Sequence, residues 1–515
     1  MFADKKILLL SASTLFLGSC MGSGAGETET ASAGTQAAAS SPSSVNAPKY
    51  ASPKPISAKE KAQGAEYHPQ ILKEFGGAWQ SPQTNYVVRV GKNIAVQSGL
   101  GNAGEDFNVS LLNSSVNNAF AIPGGYIYIT RQLVALCNSE AEMAGVLGHE
   151  VGHVAARHSK KRQRRSTIAN ILGVGGTILG AVLGDNGGLL GALGGGLKQY
   201  SGTLAQVFSL SYSRKQEEES DDLGIRYLST AGYDPSALSD MLASLAMQTS
   251  VDTRSAGREE QSIPEWARTH PEPAKRVARA AKNAQAYAAS NERNRNTHLA
   301  NIDGMMYGDD PKQGVIEGGE FKHPDLKLKF SAPSGFGMSN SPNAVSINGN
   351  AGKAIFTTQA YSGNKTAYID AAFKAVAGKD AKVNYGEIRT TTVNGIPAFY
   401  ATANTQSKNG TQTAVTVFAY EFSGSSAFHF VTINAANSSP FSNMYQSMRR
   451  LSAGEAKSIK PRRVRIVTVK RGDTVASLSG RMAYQSLKQE RFLALNGMRS
   501  ASALSAGSKV KIATY

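Results

Sequence analysis

Cysteine is nearly absent from this 515-residue chain, with Cys20 and Cys137 its only two. That excludes a disulfide-stapled scaffold of the kind small exported domains use. Tryptophan is as scarce, and charged residues make up only 18 %. Acidic residues are in deficit, 38 against 55 basic, which leaves a net charge of +17. Such an excess ordinarily points to a polyanionic partner. A long apolar run is missing too. The stretch 168–183 is nearly uncharged but interrupted by four glycines, and at 16 residues it falls short of the ~20 that a helix needs to cross a bilayer. What remains is a chain too long for one core, built from several folded parts.

The first residues predict a compartment. Lys5 and Lys6 precede an apolar stretch over 7–17, and Leu17-Gly18-Ser19-Cys20 follows. This resembles a bacterial lipoprotein signal, which implies removal of the leader and lipidation of Cys20. Met21 after the cysteine, rather than aspartate, implies the outer membrane by analogy with enterobacterial sorting. Residues 21–65 are dominated by Ser, Ala, Gly, Thr and Pro, the composition of a disordered tether. Export makes nucleic acid an unsuitable partner for the excess positive charge. Cys137 is then left without a partner and reads as a small core residue.

The chemistry is concentrated in His149-Glu150-Val151-Gly152-His153. Histidines four apart on a helix project from one face, so both rings reach one Zn²⁺ with the glutamate beside its water. The flanks predict that helix. Asn138 or Ser139 supplies an N-cap, Glu140 and Glu142 occupy the first turn, and Arg157, Lys160 and Lys161 suit the far end. Ala141, Ala144, Leu147, Gly148 and Val151 form a narrow, small-residue face.

A zinc peptidase needs a third protein ligand and one open position. Residues 213–224 predict a second helix carrying Glu217, Glu218, Glu219 and Asp221. Spacing does not choose among the three glutamates. It does put Glu217 and Asp221 on one face, so that one binds metal while the other orients a ligating histidine. Ahead of the zinc helix, residues 107–112, 119–122 and 126–130 predict strands, the last two joined at Pro123-Gly124-Gly125. In metalloproteases of this shape an edge strand near the zinc pairs with the extended substrate backbone, and the alternative is a plain structural hairpin. Between the two helices, the apolar segment 168–202 predicts either a mobile flap touching the site or lipid, or a buried helical hairpin. The basic run at 160–165 is suited to headgroups or to solvent alike.

Together these segments resemble the gluzincin metallopeptidases of the CAAX prenyl protease/HtpX family, in the soluble exported branch typified by the bacterial β-barrel assembly-enhancing protease. The resemblance rests on the two-histidine motif followed 64 residues later by Glu217 and Asp221. It extends to Asn118-Ala119-Phe120-Ala121-Ile122-Pro123-Gly124-Gly125, Ser213-Arg214, and Thr269-His270-Pro271-Glu272-Pro273 with Arg276. It implies that His149, His153 and Glu217 hold one Zn²⁺ per chain and that Asp221 supports a ligating histidine. Glu150 is implied as general base and then acid. His270 and Arg276 are implied to face the zinc, steadying the oxyanion of the tetrahedral intermediate. For His270, the alternative is a reversible plug of the fourth zinc position. Ser220 stands where the family usually has alanine.

Composition divides the remainder. Residues 288–314 are polar and suit a linker. Residues 315–452 alternate apolar and polar in several stretches, with one helical stretch near 367–376, which predicts an α+β domain on an antiparallel sheet. Residues 460–515 read as strand, helix, helix, strand. Val467-Thr468-Val469-Lys470-Arg471-Gly472-Asp473-Thr474, Leu495-Asn496-Gly497 and the close at Gly507-Ser508-Lys509-Val510-Lys511-Ile512 resemble a LysM module, which implies peptidoglycan binding. Residues 451–515 carry 13 basic and 3 acidic side chains, a charge suited to wall carboxylates or lipid phosphates.

The expected architecture is therefore α+β and multidomain. A leader over 1–20 and the tether precede a mainly helical zinc peptidase with a small sheet over 66–287, then the antiparallel-sheet domain and the βααβ module. The expected function is a lipid-anchored periplasmic endopeptidase acting on unfolded or misassembled envelope proteins. The rival expectations are a chaperone-like or wall-bound scaffold with its zinc site plugged by His270, and a cell-wall adaptor dominated by the C-terminal module.

Overall fold

The structure is a computed structural model, and it describes residues 53–101, 105–161, 212–255, 270, 273–287, 290–377, 383–406 and 412–515. The leader with Cys20, the tether up to residue 52, the basic run beyond Lys161 and the apolar segment 168–202 lie outside the described residues.

Helix α1 (Ala58–Glu74) opens in a capping box, in which the Glu60 amide donates to Ser57 Oγ and the Ser57 amide to the Glu60 carboxylate. Residues 58–65, expected as the end of the tether, are therefore helix, anchored downstream by buried Tyr67 and Ile71. Helix α2 (Pro82–Val96) turns Val87, Val90 and Ile94 inward. The three strands fall where alternation places them: β1 (Asn108–Leu112), β2 (Ala119–Ile122) and β3 (Tyr126–Thr130). They lie in the order β1-β3-β2, with β1 parallel to β3 and β2 antiparallel to it, so β2 is an edge. Gly124 and Gly125 both take positive φ in the turn, and a Cβ at Gly125 would lie 2.1 Å from the Asp106 carbonyl oxygen.

After the short α3 (Arg131–Leu136), α4 (Glu140–Ala155) carries the two-histidine motif. Its N-cap is Ser139, whose Oγ accepts from the Glu142 amide at 3.1 Å. Helices α5 (Arg214–Thr230) and α6 (Ala237–Ser255) pack on it, and α7 (Pro273–Ala284) packs on those two. Glycines set the separation of α4 and α5. A Cβ at Gly224 would stand 3.0 Å from the His149 backbone nitrogen, and one at Gly152 would stand 3.1 Å from the Ser220 backbone. Larger residues at either position would push α5 off the metal-motif helix, because packed backbones have no slack to absorb them.

The segment 288–314, expected as a linker, is packed structure over its described residues, 290–314. It forms α8 (Arg295–Ile302), with His298, Leu299 and Ile302 buried, and β4 (Met306–Tyr307). Its polar composition conceals the short buried face. Beyond it, β5 (Val315–Glu317), β6 (Glu320–His323) and β7 (Leu328–Ser331) precede β8 (Gly337–Asn340), β9 (Val345–Gly349) and β10 (Gly352–Thr358). Helix α9 (Lys365–Ala377) falls on the predicted helical stretch and is followed by β11 (Arg389–Val393), β12 (Ile396–Gln406), β13 (Gln412–Ser423) and β14 (Ser426–Ala435). Helix α10 (Ser442–Ser447) leads to β15 (Arg449–Arg450). The result is a seven-stranded antiparallel sheet in the order β11-β12-β13-β14-β10-β9-β8, and a four-stranded one in the order β15-β7-β6-β5. Phe321 and Phe330 of the small sheet pack with Phe356 and Phe430 of the large one. Tyr368, Ile369 and Phe373 of α9 pack with Phe399, Val415 and Val431 in a second cluster.

The C-terminal segment is built as expected, with α11 (Ala453–Ser458) ahead of β16 (Arg462–Thr468), α12 (Val475–Gly480), α13 (Lys488–Leu495) and β17 (Lys509–Thr514). It does not stand apart. β16 pairs with both β17 and β4. Val464, Phe492, Leu495, Val510 and Ile512 belong to the same apolar cluster as Leu136, Met241 and Leu245. Fully buried Lys511 donates to the carbonyls of Ala135 (2.8 Å), Leu136 (2.9 Å) and Cys137 (2.7 Å). These are the last carbonyls of α3, which lack partners within that helix. The Lys511 ammonium supplies them from a segment more than 370 residues later in the chain.

Candidate metal centre

α4 presents His149, Glu150 and His153 to α5, and the glycine contact brings Glu217 and Asp221 within reach. The Nε2 atoms of His149 and His153 lie 3.0 Å apart. Glu217 Oε1 is 3.3 Å from His153 Nε2, and its Oε2 is 3.6 Å from His149 Nε2. His270, three residues ahead of α7, joins them. Its Nδ1 is 3.3 Å from His149 Nε2 and 3.2 Å from both Glu217 oxygens. One ligand atom from each of His149, His153, Glu217 and His270 lies within 4.8 Å of all the others. All four residues are buried.

The distal ring nitrogens decide what this cluster holds. His149 Nδ1 is bonded to Asp221 Oδ1 at 2.9 Å, and His153 Nδ1 to His158 Nδ1 at 2.7 Å. When both rings keep their protons on Nδ1, both Nε2 lone pairs point at one spot already flanked by a carboxylate. Converging acceptors repel unless a positive charge lies between them. Two imidazoles and a carboxylate form a donor set suited to Zn²⁺, so the residues present fit the ion.

Electrostatics agree with that assignment. Burial would raise the Glu217 carboxyl, but His270 and Arg276 hold it well below the usual carboxylate range. Burial likewise opposes ionisation of Asp221, and Arg276 more than offsets it. Arg276 grips both groups, with Nε 2.8 Å from Asp221 Oδ2, Nη2 2.5 Å from Asp221 Oδ1 and Nη1 2.6 Å from Glu217 Oε2. Arg276 was expected to steady an oxyanion; in this geometry its guanidinium holds the two carboxylates, a role the sequence reading did not give it. Glu150 differs from them. It is 1 % exposed, and neither carboxylate oxygen has a hydrogen-bond partner among the described residues. Burial pushes its carboxyl upward. Its Oε1 lies 3.5 Å from His270 Nε2. Burial depresses the His270 imidazole, but the Glu217 and Glu150 carboxylates outweigh it and carry it above its ordinary value.

The remaining acidic candidates separate cleanly. Glu219 turns to His158 Nε2 at 3.0 Å, and Arg279 donates to the Glu218 carbonyl. Two residues at this site, His158 and Tyr212, escaped the sequence reading, and the role of a third was misassigned. His158 packs under His153, because Arg157 takes φ +53 and turns the chain back after α4. Tyr212 stacks on the His153 ring with centroids 3.8 Å apart and planes 14° from parallel. Glu219 was weighed only as a ligand. A histidine five residues after a ligand signals a partner only if the helix is known to end between them.

A model of peptidase family M48 matches residues 81–284, and a LysM domain model matches residues 467–513. The chain is similar to the beta-barrel assembly-enhancing proteases of Yersinia pestis (30 % identical over 225 residues) and Escherichia coli K12 (29 % over 229 residues). In both cases 43 % of each chain is covered. The mitochondrial metalloendopeptidase OMA1 of Schizosaccharomyces pombe is 29 % identical over 181 residues, covering 35 % of this chain and 49 % of that one. The chain thus spans less than half the length of each of these relatives. Its described part is a multidomain α+β structure in which the region 81–284 is similar to peptidase family M48 and the region 467–513 to LysM domains.

Proposed function

We propose that this chain is a zinc-dependent endopeptidase of the bacterial cell envelope that cleaves misfolded or stalled envelope proteins. The observation that carries the reading is a buried Glu150, without hydrogen-bond partners among the described residues, beside converging His149, His153 and Glu217. Zn²⁺ held by those three residues would polarise the scissile carbonyl and acidify a water. Glu150 takes a proton from the attacking water and passes it to the leaving amine. Its upward-shifted carboxyl suits a group that must both accept and return a proton. Asp221 fixes the tautomer and ring plane of His149, and Arg276 holds Asp221 and Glu217 in place.

Strand β2 lies at the edge of its sheet with all four residues buried; an extended substrate pairing with it would be gripped through its main chain whatever its side chains, and would have to be unfolded there. The envelope setting rests on the named relatives and on the leader ending at Cys20, which would be lipidated and hold the enzyme at the outer membrane. Among the described residues no helix is long and apolar enough to cross a membrane. The LysM domain would add attachment to peptidoglycan. A second reading, a scaffold with a plugged metal site, draws on the position of His270 within the ligand cluster.

The test incubates zinc-loaded residues 21–515 with one disulfide-bonded protein in native and in reduced, unfolded form, and identifies fragments by mass. The proposal expects cleavage of the unfolded form only. Faster cleavage by His270→Ala assigns the plug, and slower cleavage assigns oxyanion support. Equal cleavage of both forms would remove the unfolded-substrate reading, and no cleavage of either would leave the scaffold.

A further inference from the structure

A chain of hydrogen bonds leaves the metal centre through the second histidine. His153 Nδ1 meets His158 Nδ1 at 2.7 Å, and His158 Nε2 meets Glu219 Oε2 at 3.0 Å. His158 is fully buried, while the Glu219 side chain is 43 % exposed. Both ends of His158 are fixed by neighbours. Gln216 Nε2 donates to its carbonyl at 3.4 Å, and Ser220 Oγ lies 3.4 Å from its Nδ1. The stacked Tyr212 ring closes the other face of His153.

One proton per hydrogen bond fixes the order along this chain. The Glu219 carboxylate is an acceptor only, so His158 carries its proton on Nε2. His158 Nδ1 is then a lone pair, and the proton in the 2.7 Å contact must sit on His153 Nδ1. That leaves His153 Nε2 as a lone pair facing His149 and Glu217, the form a metal requires. The opposite order would place a proton on His153 Nε2 and close the position.

We propose that His158 and Glu219 are positioning residues that lock the tautomer and ring plane of His153, as Asp221 does for His149. The inference rests on the reading that His149, His153 and Glu217 hold the metal. It explains why two adjacent glutamates on α5 serve different ends: Glu219 supports a ligand's neighbour, while Glu218 packs at Arg279 outside the site.

The test has two parts. Zinc is titrated into the metal-free chain against a chromogenic chelator, for the native protein, His158→Phe, Glu219→Ala and, as control, Glu218→Ala. Loss of support from outside the ligand set typically weakens metal binding by about 10- to 100-fold. That loss is expected for His158→Phe, a smaller one for Glu219→Ala, and none for Glu218→Ala. In parallel, imidazole nitrogen shifts of the native chain report tautomers without any substitution. The expected pattern is Nδ1–H on His153 and Nε2–H on His158. Zinc affinity of folded His158→Phe within twofold of native, or Nδ1–H on His158, overturns the proposal. Failure of the native chain itself to bind zinc would instead remove the metal reading beneath it.

Discussion

Glu150→Gln is expected to abolish turnover while leaving one zinc bound and the fold intact. Glutamine keeps the size and shape of the side chain in a fully packed site. No hydrogen bond among the described residues is lost, because neither carboxylate oxygen makes one. The three proposed ligands are untouched. What disappears is the only group at the motif able to take a proton from water and return it. General acid–base catalysis contributes about 10²- to 10⁴-fold, and here one residue serves both steps, so the loss should reach the upper end. A thousandfold loss corresponds to about 4 kcal/mol of barrier. The check is cleavage rate and bound zinc measured on one preparation, with thermal unfolding as a control. A variant that retains a tenth of native turnover would show that another group moves the proton.

Deleting residues 460–515 should prevent the metallopeptidase domain from folding, rather than merely detach a wall-binding module. Side chains on β16, β17 and α13 complete the cluster that includes Leu136, Met241 and Leu245, and β16 supplies the partner of β4. Removal would expose that surface at roughly 25 cal/mol per Å². It would also strip the α3 carbonyls of their donor immediately before the metal-motif helix. Lys511→Met isolates that last contribution, since methionine fills much of the same space without donors. Asn138 and His298 still donate to the Leu136 and Cys137 carbonyls, so the Ala135 carbonyl suffers most. With each net bond worth about 1 kcal/mol and an orphaned carbonyl costing about 1–3, destabilisation of about 2–4 kcal/mol follows. In a unit of this size that is a Tm lower by about 5–10 °C. Burial pushes the Lys511 ammonium down to about 7, with Glu142 opposing, so part of the loss is returned by removing a poorly solvated charge. A truncated chain with native zinc affinity and a native melting curve would show that the domains are independent.

The metal-motif helix was legible because its chemistry demands a fixed spacing and its caps are local. Ser139, Glu142 and the two histidines act within one element, where the 3.6-residue period governs. The proposed third ligand was less so. Spacing left Glu217, Glu218 and Glu219 equivalent; the fold separates them by how α5 lies on α4, which Gly148, Gly152 and Gly224 determine across a gap of some 70 residues. His158 was invisible for a similar reason. Only the left-handed turn at Arg157 returns it to His153. α8 hid in a polar segment because three buried residues suffice for a short helix. Lys511 carries no local signal at all. Lysine is almost never fully buried, so sequence alone places it on the surface, and its three acceptors lie more than 370 residues earlier in the chain.

The most direct test of the metallopeptidase account is to add zinc stepwise to metal-free protein and follow cleavage of an unfolded substrate. The account predicts activity that rises in proportion to zinc, stops at one equivalent, and vanishes again with chelator. Cleavage that persists without metal, or one equivalent bound with no cleavage at all, would contradict it.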